Sequence, residues 1–412
     1  MVCVNGVLNL ICLKKIRLSY FALFVSAAVL YSCKEDDPEP VNEVLIGSEN
    51  ILTRTAGELQ TFISLSGLTL PVAELKYDVD IYKITYKTEY LNDEEITASG
   101  LVILPKKSGS YPMVSFQHGT IAAHTEAPSV QPVSSTELIL YAALASPGFI
   151  AAVPDYIGFG SSANLPHPYY VEDLTAEAVT DMLDAAFELA REKGITFNKK
   201  LFLAGYSQGG YATMAAHKEI ESDELDDFDL VASFPASGGY DVKGMQEYFF
   251  SLDTYEEPFY IGYVASSYKI TYNWPQPFSD IFNEPYATRI PSLYDGSKSS
   301  GEINAQLTTH IPDLLTSDIL ANIDTDARYK NIVDAFNENS LTDWKPTRKM
   351  YMYHGEADVT VPYSNSTATY NKLISNGASA SLVTLTSFPG KDHETGVGPY
   401  IEAFVPLMLS LR

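Results

Sequence analysis

The chain is predicted to adopt an α/β fold, with a mostly parallel central sheet, helices on both of its faces and an inserted, largely helical cap. Three observations predict it. Short continuous apolar runs at Phe149–Val153 and Lys200–Ala204 suit strands covered on both faces. Between them a helical period appears, with Val179, Met182, Leu183, Ala186 and Ala190 at i, i+3, i+4, i+7 and i+11. This alternation of strand and helix, which favours parallel neighbours, stops after about Ser237 and resumes after Pro346.

The first segment reads as an address rather than structure. Lys14, Lys15 and Arg17 precede an apolar run from Leu18 to Leu30. A charged start and a short apolar core are the layout of a secretory signal, and 13 residues fall short of the roughly 20 that span a bilayer as a helix. Residues 1–32 are therefore expected to be a signal peptide. Leu30-Tyr31-Ser32-Cys33 resembles a bacterial lipobox, which implies lipidation of Cys33 and a membrane anchor. The acidic, proline-containing run Lys34–Pro40 is unlike a folded segment. It resembles the surface-export signal of Bacteroidetes-type lipoproteins, so residues 33–50 are expected to be a flexible tether and the protein an outer-membrane lipoprotein exposed at the cell surface.

The folded body is expected over 51–412. An amphipathic stretch around Leu59, Phe62 and Leu65 predicts a helix or two within 51–75. Tyr77–Tyr86 alternates and is rich in β-formers, as a strand should be, and Ile96–Leu104 reads as a second strand after a turn at Asn92-Asp93. Further strands are expected at Pro112–Phe116, Phe149–Val153, Lys200–Ala204 and Leu230–Phe234. A helix over Leu174–Lys193 has candidate caps in Asp173 or Thr175 and ends at Arg191, Lys193 and Gly194. The cap is placed at about 238–346, with many tyrosines and phenylalanines in its first half and a helical cast in its second. A strand at Lys349–Tyr353, a helix near Ser364–Ser375, a strand at Leu382–Phe388 and a last helix over Tyr400–Leu411 complete the body.

Composition narrows the function. Acids outnumber bases 52 to 27, which argues against nucleic acid and against a basic lipid-binding patch. The three cysteines are Cys3, Cys12 and Cys33, so the body has neither a disulfide nor a cysteine metal site. No histidine pair has H-E-x-x-H spacing, and no metal or cofactor is expected.

Gly205-Tyr206-Ser207-Gln208-Gly209 follows a strand and precedes a helical segment, the context of a nucleophile elbow. A serine so presented needs a histidine to take its proton and an acid to orient that histidine. The strand Lys349–Tyr353 runs into His354-Gly355-Glu356-Ala357-Asp358-Val359-Thr360-Val361-Pro362. This loop resembles the acid-bearing loop of the α/β-hydrolase superfamily, with Asp358 in the acid position, and Lys391-Asp392-His393-Glu394 stands where that superfamily places its histidine. The order Ser207, Asp358, His393 is the one expected of that fold. Glu356 and Asp392 are the rival acids.

Gln117-His118-Gly119-Thr120 resembles the oxyanion loop of lipases and esterases, which implies donors at the Gln208 and Thr120 backbone N–H groups, with Gly119 beside them. His118 is expected to shape the site rather than act as base. Tyr206 and the turn Asp155-Tyr156-Ile157-Gly158-Phe159-Gly160 are expected, with His118, to line the pocket; the alternative for that turn is a purely structural role for its glycines. His124, His167, His217 and His310 are left as ordinary packing or surface residues.

Together with the long cap, these motifs make the body, roughly 50–412, similar to the secretory-lipase branch of the superfamily. The resemblance implies a serine hydrolase that cleaves small-molecule, glycan or lipid esters through an acyl-enzyme. The rivals are a serine peptidase of the same fold and a catalytically dead surface protein that binds glycan or lipid. A dehalogenase would want an aspartate at position 207.

Overall fold

The computed structural model describes residues 42–222 and 227–412. The expected signal peptide, Cys33 and the first part of the tether lie outside them. Among the described residues nine strands form one sheet: β1 (Leu45–Arg54), β2 (Val79–Tyr90), β3 (Glu94–Pro105), β4 (Ser110–Gln117), β5 (Ile150–Pro154), β6 (Thr196–Tyr206), β7 (Asp229–Ala236), β8 (Lys349–Gly355) and β9 (Val383–Phe388). Their order in space is β1-β2-β3-β5-β4-β6-β7-β8-β9. From β5 to β9 every pairing is parallel, and β1, β2 and β3 add an antiparallel flank.

The first strand corrects the tether boundary. Residues 45–50 are not a loose linker; they begin β1 and pair with β2. Just before it, the Glu43, Val44 and Leu45 N–H groups donate to the Glu188 carboxylate. β1 hides in the sequence because its register shifts at Leu45/Gly47 and again at Asn50/Leu52. Such bulges break the period of two that marks a strand.

Six helices cover the sheet. They are α1 (Ala56–Leu65), α2 (Thr136–Ala145), α3 (Glu172–Glu192), α4 (Gln208–Ser222), the helix Tyr363–Ser375, whose Leu373 packs with Met350 and Val383 of β8 and β9, and the last helix, Val397–Leu411. α1, α2 and the last helix share one apolar core with one face of the sheet. The opposite face packs on α3 and α4, where Val179, Met182, Leu183, Ala186 and Ala190 are all buried.

The helix α2 escapes the sequence reading because Leu-Ile-Leu-Tyr-Ala-Ala-Leu-Ala is apolar nearly all round and shows no polar face. Its start is marked all the same by Ser135, whose hydroxyl accepts from the Leu138 N–H at 3.1 Å. α3 is not capped by Asp173 or Thr175. The side chain of Asn339, far along the chain, accepts from the Glu172 N–H at 2.7 Å.

Between β7 and β8 the chain departs from the alternation. Residues 237–348 hold α5 (Val242–Ser251), α6 (Phe259–Thr271), the helix Lys330–Glu338 and several shorter turns of helix. Their apolar side chains join those of α4 and β8 in one continuous core. This insertion therefore packs over the end of the sheet at which β6 delivers the serine motif.

Candidate active site

The elbow forms where β6 ends at Tyr206 and α4 begins at Gln208, leaving Ser207 alone between them. Its φ of +60° lies in the left-handed region. That strain is common where a side chain must be presented sharply and is held by its surroundings. Two glycines make the close approach possible. A Cβ at Gly205 would overlap the Gly209 carbonyl, and one at Gly209 would overlap the Gln117 carbonyl. The Ser207 N–H donates to Ala236 O at 2.9 Å, tying the turn to β7.

Ser207, His393 and Asp358 are brought together from three separate strand ends. His393 Nε2 lies 2.9 Å from Ser207 Oγ, and His393 Nδ1 lies 2.7 Å from Asp358 Oδ2. The other oxygen, Asp358 Oδ1, accepts the N–H groups of Thr360 at 3.0 Å and Val361 at 2.9 Å. His354 Nε2 approaches Oδ2 at 3.2 Å. Burial alone would raise the Asp358 carboxyl; hydrogen bonds from His354 and His393 outweigh it and hold the group below the usual carboxylate range. Glu356 accepts from the Ser387 hydroxyl at 2.6 Å, and Asp392 from Thr395 at 2.7 and 2.8 Å. Both rivals are exposed and neither meets His393 through its side chain.

The loop after β4 runs beside the elbow. A Cβ at Gly119 would stand 3.9 Å from Ser207 Cβ. Among the described residues, no protein acceptor takes the backbone N–H of Gln208 or that of Thr120. The loop is held by tyrosines: Tyr156 OH donates to His118 O at 3.1 Å and Tyr263 OH to Ile121 O at 3.3 Å. Thr120 Oγ1 and Tyr169 OH share a hydrogen bond of 2.9 Å.

A cavity of about 50 Å³ opens at Ser207, walled by Tyr169, Tyr170, Val242, Met245 and Phe249 among others. The residues expected to line the pocket are not in its wall. Asp155 is buried, its carboxylate accepting from Ser99 Oγ at 2.7 Å and from the Ser129 N–H and hydroxyl at 2.8 and 2.5 Å. It fastens its turn in place, and Tyr156 beside it braces the His118 loop. A carboxylate at a strand end reads alike in sequence whether it faces substrate or, as here, two serines.

His118 and Tyr206 border a second cavity instead. Burial lowers the pKa of His118, whose ring nitrogens meet the carbonyls of Gly119 at 2.7 Å and Asp155 at 3.3 Å. Tyr206 OH donates to His393 O at 2.7 Å, which anchors the loop that carries the histidine.

Two residues were missed by sequence reasoning. His354 is fully buried, with Nδ1 2.7 Å from Ser366 Oγ and Nε2 2.8 Å from Val361 O, and it braces Asp358. It stands in plain view at the head of the His-Gly-x-x-Asp motif, so a signal was there. His167 is held neutral, its pKa pushed down to about 3 by burial. Its Nδ1–H donates to Ile157 O at 2.6 Å, and its Nε2 accepts from the Gln208 side-chain amide at 2.8 Å. No spacing links His167 to Gln208, which lies 41 residues away.

Among the described residues, no group of three or more His, Cys, Asp or Glu side chains is arranged to hold a metal. A mostly parallel sheet with a serine on the strand-to-helix elbow defines the α/β-hydrolase fold. The chain belongs to the secretory lipase family, whose model matches residues 125–393. No curated protein matches it.

Solved structures do. A putative hydrolase from Legionella pneumophila is 27% identical, with a TM-score of 0.79 over 90% of this chain and 98% of that one. The rice cell wall degrading esterase LipA from Xanthomonas oryzae is 22% identical, with a TM-score of 0.77 over 90% of this chain and 100% of that one. Candida antarctica lipase A in its closed state is 15% identical, with a TM-score of 0.63 over 87% and 79%. As a member of the secretory lipase family the protein is an exported carboxylic ester hydrolase. Among its described residues no helix is long and apolar enough to cross a membrane.

Proposed function

We propose that the protein cleaves carboxylic esters through a serine acyl-enzyme, with Ser207 as nucleophile, His393 as base and acid, and Asp358 as the group that orients His393. The observation that carries this reading is the unbroken hydrogen-bonded chain from Asp358 Oδ2 through His393 to Ser207 Oγ, at 2.7 and 2.9 Å. As the Ser207 oxygen attacks the carbonyl carbon, its proton passes to His393 Nε2. The imidazolium that forms is offset by the Asp358 carboxylate. The carbonyl oxygen gains charge and is met by the Gln208 and Thr120 N–H groups, which are free of protein acceptors. His393 then protonates the departing alcohol, and water activated by the same imidazole releases the acid.

The complete chain of hydrogen bonds favours a working hydrolase over a dead binding protein. A fluorophosphonate probe separates the two. Labelling that vanishes in Ser207→Ala supports the reading, and an unlabelled folded wild type overturns it.

The same proposal places the enzyme on the outer membrane through lipid on Cys33, a residue reached by the motif Leu30-Tyr31-Ser32-Cys33. Labelled palmitate should enter the wild type in vivo and fail to enter Cys33→Ala. Equal incorporation in both would remove the anchor from the proposal.

A further inference from the structure

The second cavity, about 340 Å³, is large enough for a small-molecule site, which usually spans roughly 300–1,000 Å³. It is a groove between α2 and the last helix. From the last helix come Val397, Ile401, Val405 and Leu409, spaced by four and therefore on one stripe. At 1.5 Å per residue that stripe is about 18 Å long. Leu140, Ala143 and Leu144 of α2 form the facing wall, and Leu70 to Val72 close one side. Glu137, at the surface, is the one carboxylate among the lining residues.

The groove does not end blindly in the core. One end reaches His118, Gly119 and Tyr206. Gly119 borders Ser207, and Tyr206 holds the backbone of His393, so the apolar stripe starts at the wall of the reaction centre. Val397, at that end, is 37% exposed. The cavity on the other side of Ser207 holds only about 50 Å³, which leaves no room there for a long chain.

We infer that the groove between α2 and the last helix receives a long hydrocarbon arm of the ester substrate. The inference rests on the ester hydrolysis proposed at Ser207. A hydrocarbon fits because the walls are mostly apolar: the one carboxylate, Glu137, is at the surface, and the polar groups of His118 and Tyr206 are already taken up by the Gly119, Asp155 and His393 carbonyls. Gly119, which lines the groove and stands beside Ser207, makes the ester substrate the fitting occupant. Either arm has this chemistry: the acyl chain, or the alkyl chain of the alcohol that His393 protonates.

Two variants fill the groove from opposite walls, Ile401→Trp and Ala143→Phe, each taken forward if it melts like the wild type. For the acyl arm, kcat/KM is compared between p-nitrophenyl decanoate and p-nitrophenyl acetate. For the alkyl arm the pair is decyl acetate and ethyl acetate. The long-to-short ratio is expected to fall about tenfold or more for the arm that uses the groove, since each excluded methylene loses its apolar burial. Unchanged ratios for both arms in a well-folded variant overturn the inference.

A second readout needs no catalysis. Ser207→Ala protein should bind cis-parinaric acid, a fluorescent long-chain acid, and Ile401→Trp in that background should weaken the binding. Equal binding with and without the tryptophan also overturns the groove. A wild type that hydrolyses none of the esters overturns the catalytic reading instead, and the parinaric acid result still decides the groove.

Discussion

His354 Nε2 lies 3.2 Å from Asp358 Oδ2, the same oxygen that meets His393 Nδ1 at 2.7 Å. Asp358 is thereby fixed by four donors: two backbone N–H groups on one oxygen and two histidines on the other. A carboxylate so held cannot swing away from His393 without breaking several bonds at once. The acid of the proposed triad is thus positioned by a histidine four residues before it, at the end of β8, with Ser366 fixing that histidine in turn.

The first prediction concerns that histidine. His354→Gln should lower kcat and leave KM nearly unchanged, because the residue touches Asp358 and not the substrate. A hydrogen bond to a charged group is worth about 1.5–3 kcal/mol, which corresponds to roughly tenfold or more in rate. The kinetics of p-nitrophenyl acetate hydrolysis by wild type and variant would decide it. A change in KM with kcat intact would make His354 a substrate contact and not a positioning residue.

Asp358→Asn tests the orienting acid itself. The fold should be retained, while kcat falls by roughly 10⁴, because an amide stabilises the wrong imidazole tautomer. Glu356→Gln and Asp392→Asn, whose carboxylates bond to Ser387 and Thr395, should keep wild-type rates. A severe loss in either of these, with Asp358→Asn active, would transfer the role to a rival.

Most of this site was legible because its chemistry imposes local spacing. Glycine must flank Ser207, since Gly205 and Gly209 sit against carbonyl oxygens, and that requirement is written as G-x-S-x-G. Asp358 and His393 follow strand ends, and strands are readable from their apolar runs. What stayed hidden depends on packing between distant segments. The pairing of His167 with Gln208 and the role of Asp155 between Ser99 and Ser129 leave no period in the chain. The strand β1 and the helix α2 were hidden for opposite reasons: bulges interrupt the alternation of one, and an apolar circumference erases the period of the other.

Gln208 offers a further test. Its side chain is tied to neutral His167, and its backbone N–H, next in the chain after Ser207, has no protein acceptor among the described residues and is the proposed oxyanion donor. Gln208→Ala keeps the N–H and removes the tie. Deleting a whole oxyanion donor costs on the order of 10²–10³ in kcat, so loosening one should cost less, about tenfold. KM for a short ester should change little. An unchanged kcat would mean that α4 holds the N–H without help from the side chain.

The last prediction is about stability and pH. Asp181 and Asp184 lie on α3, where burial pushes their carboxyls up to about 7 and about 6. Glu177 and Asp184 add repulsion at Asp181, and Glu188 does so at Asp184. In the unfolded chain an aspartate titrates near 4. As pH rises from about 4 to about 7, the unfolded chain therefore loses protons that the folded chain keeps. The folded state binds more protons across this window, so the stability these groups contribute falls with rising pH and levels off above about 7. Asp181→Asn, which keeps the shape and removes the charge, should raise the melting temperature by a few degrees at pH 8. At pH 5 the gain should be smaller, because little of the penalty has yet developed. Thermal melts at the two pH values measure it directly. A gain of the same size at both would mean that packing, rather than the buried charge, sets the effect.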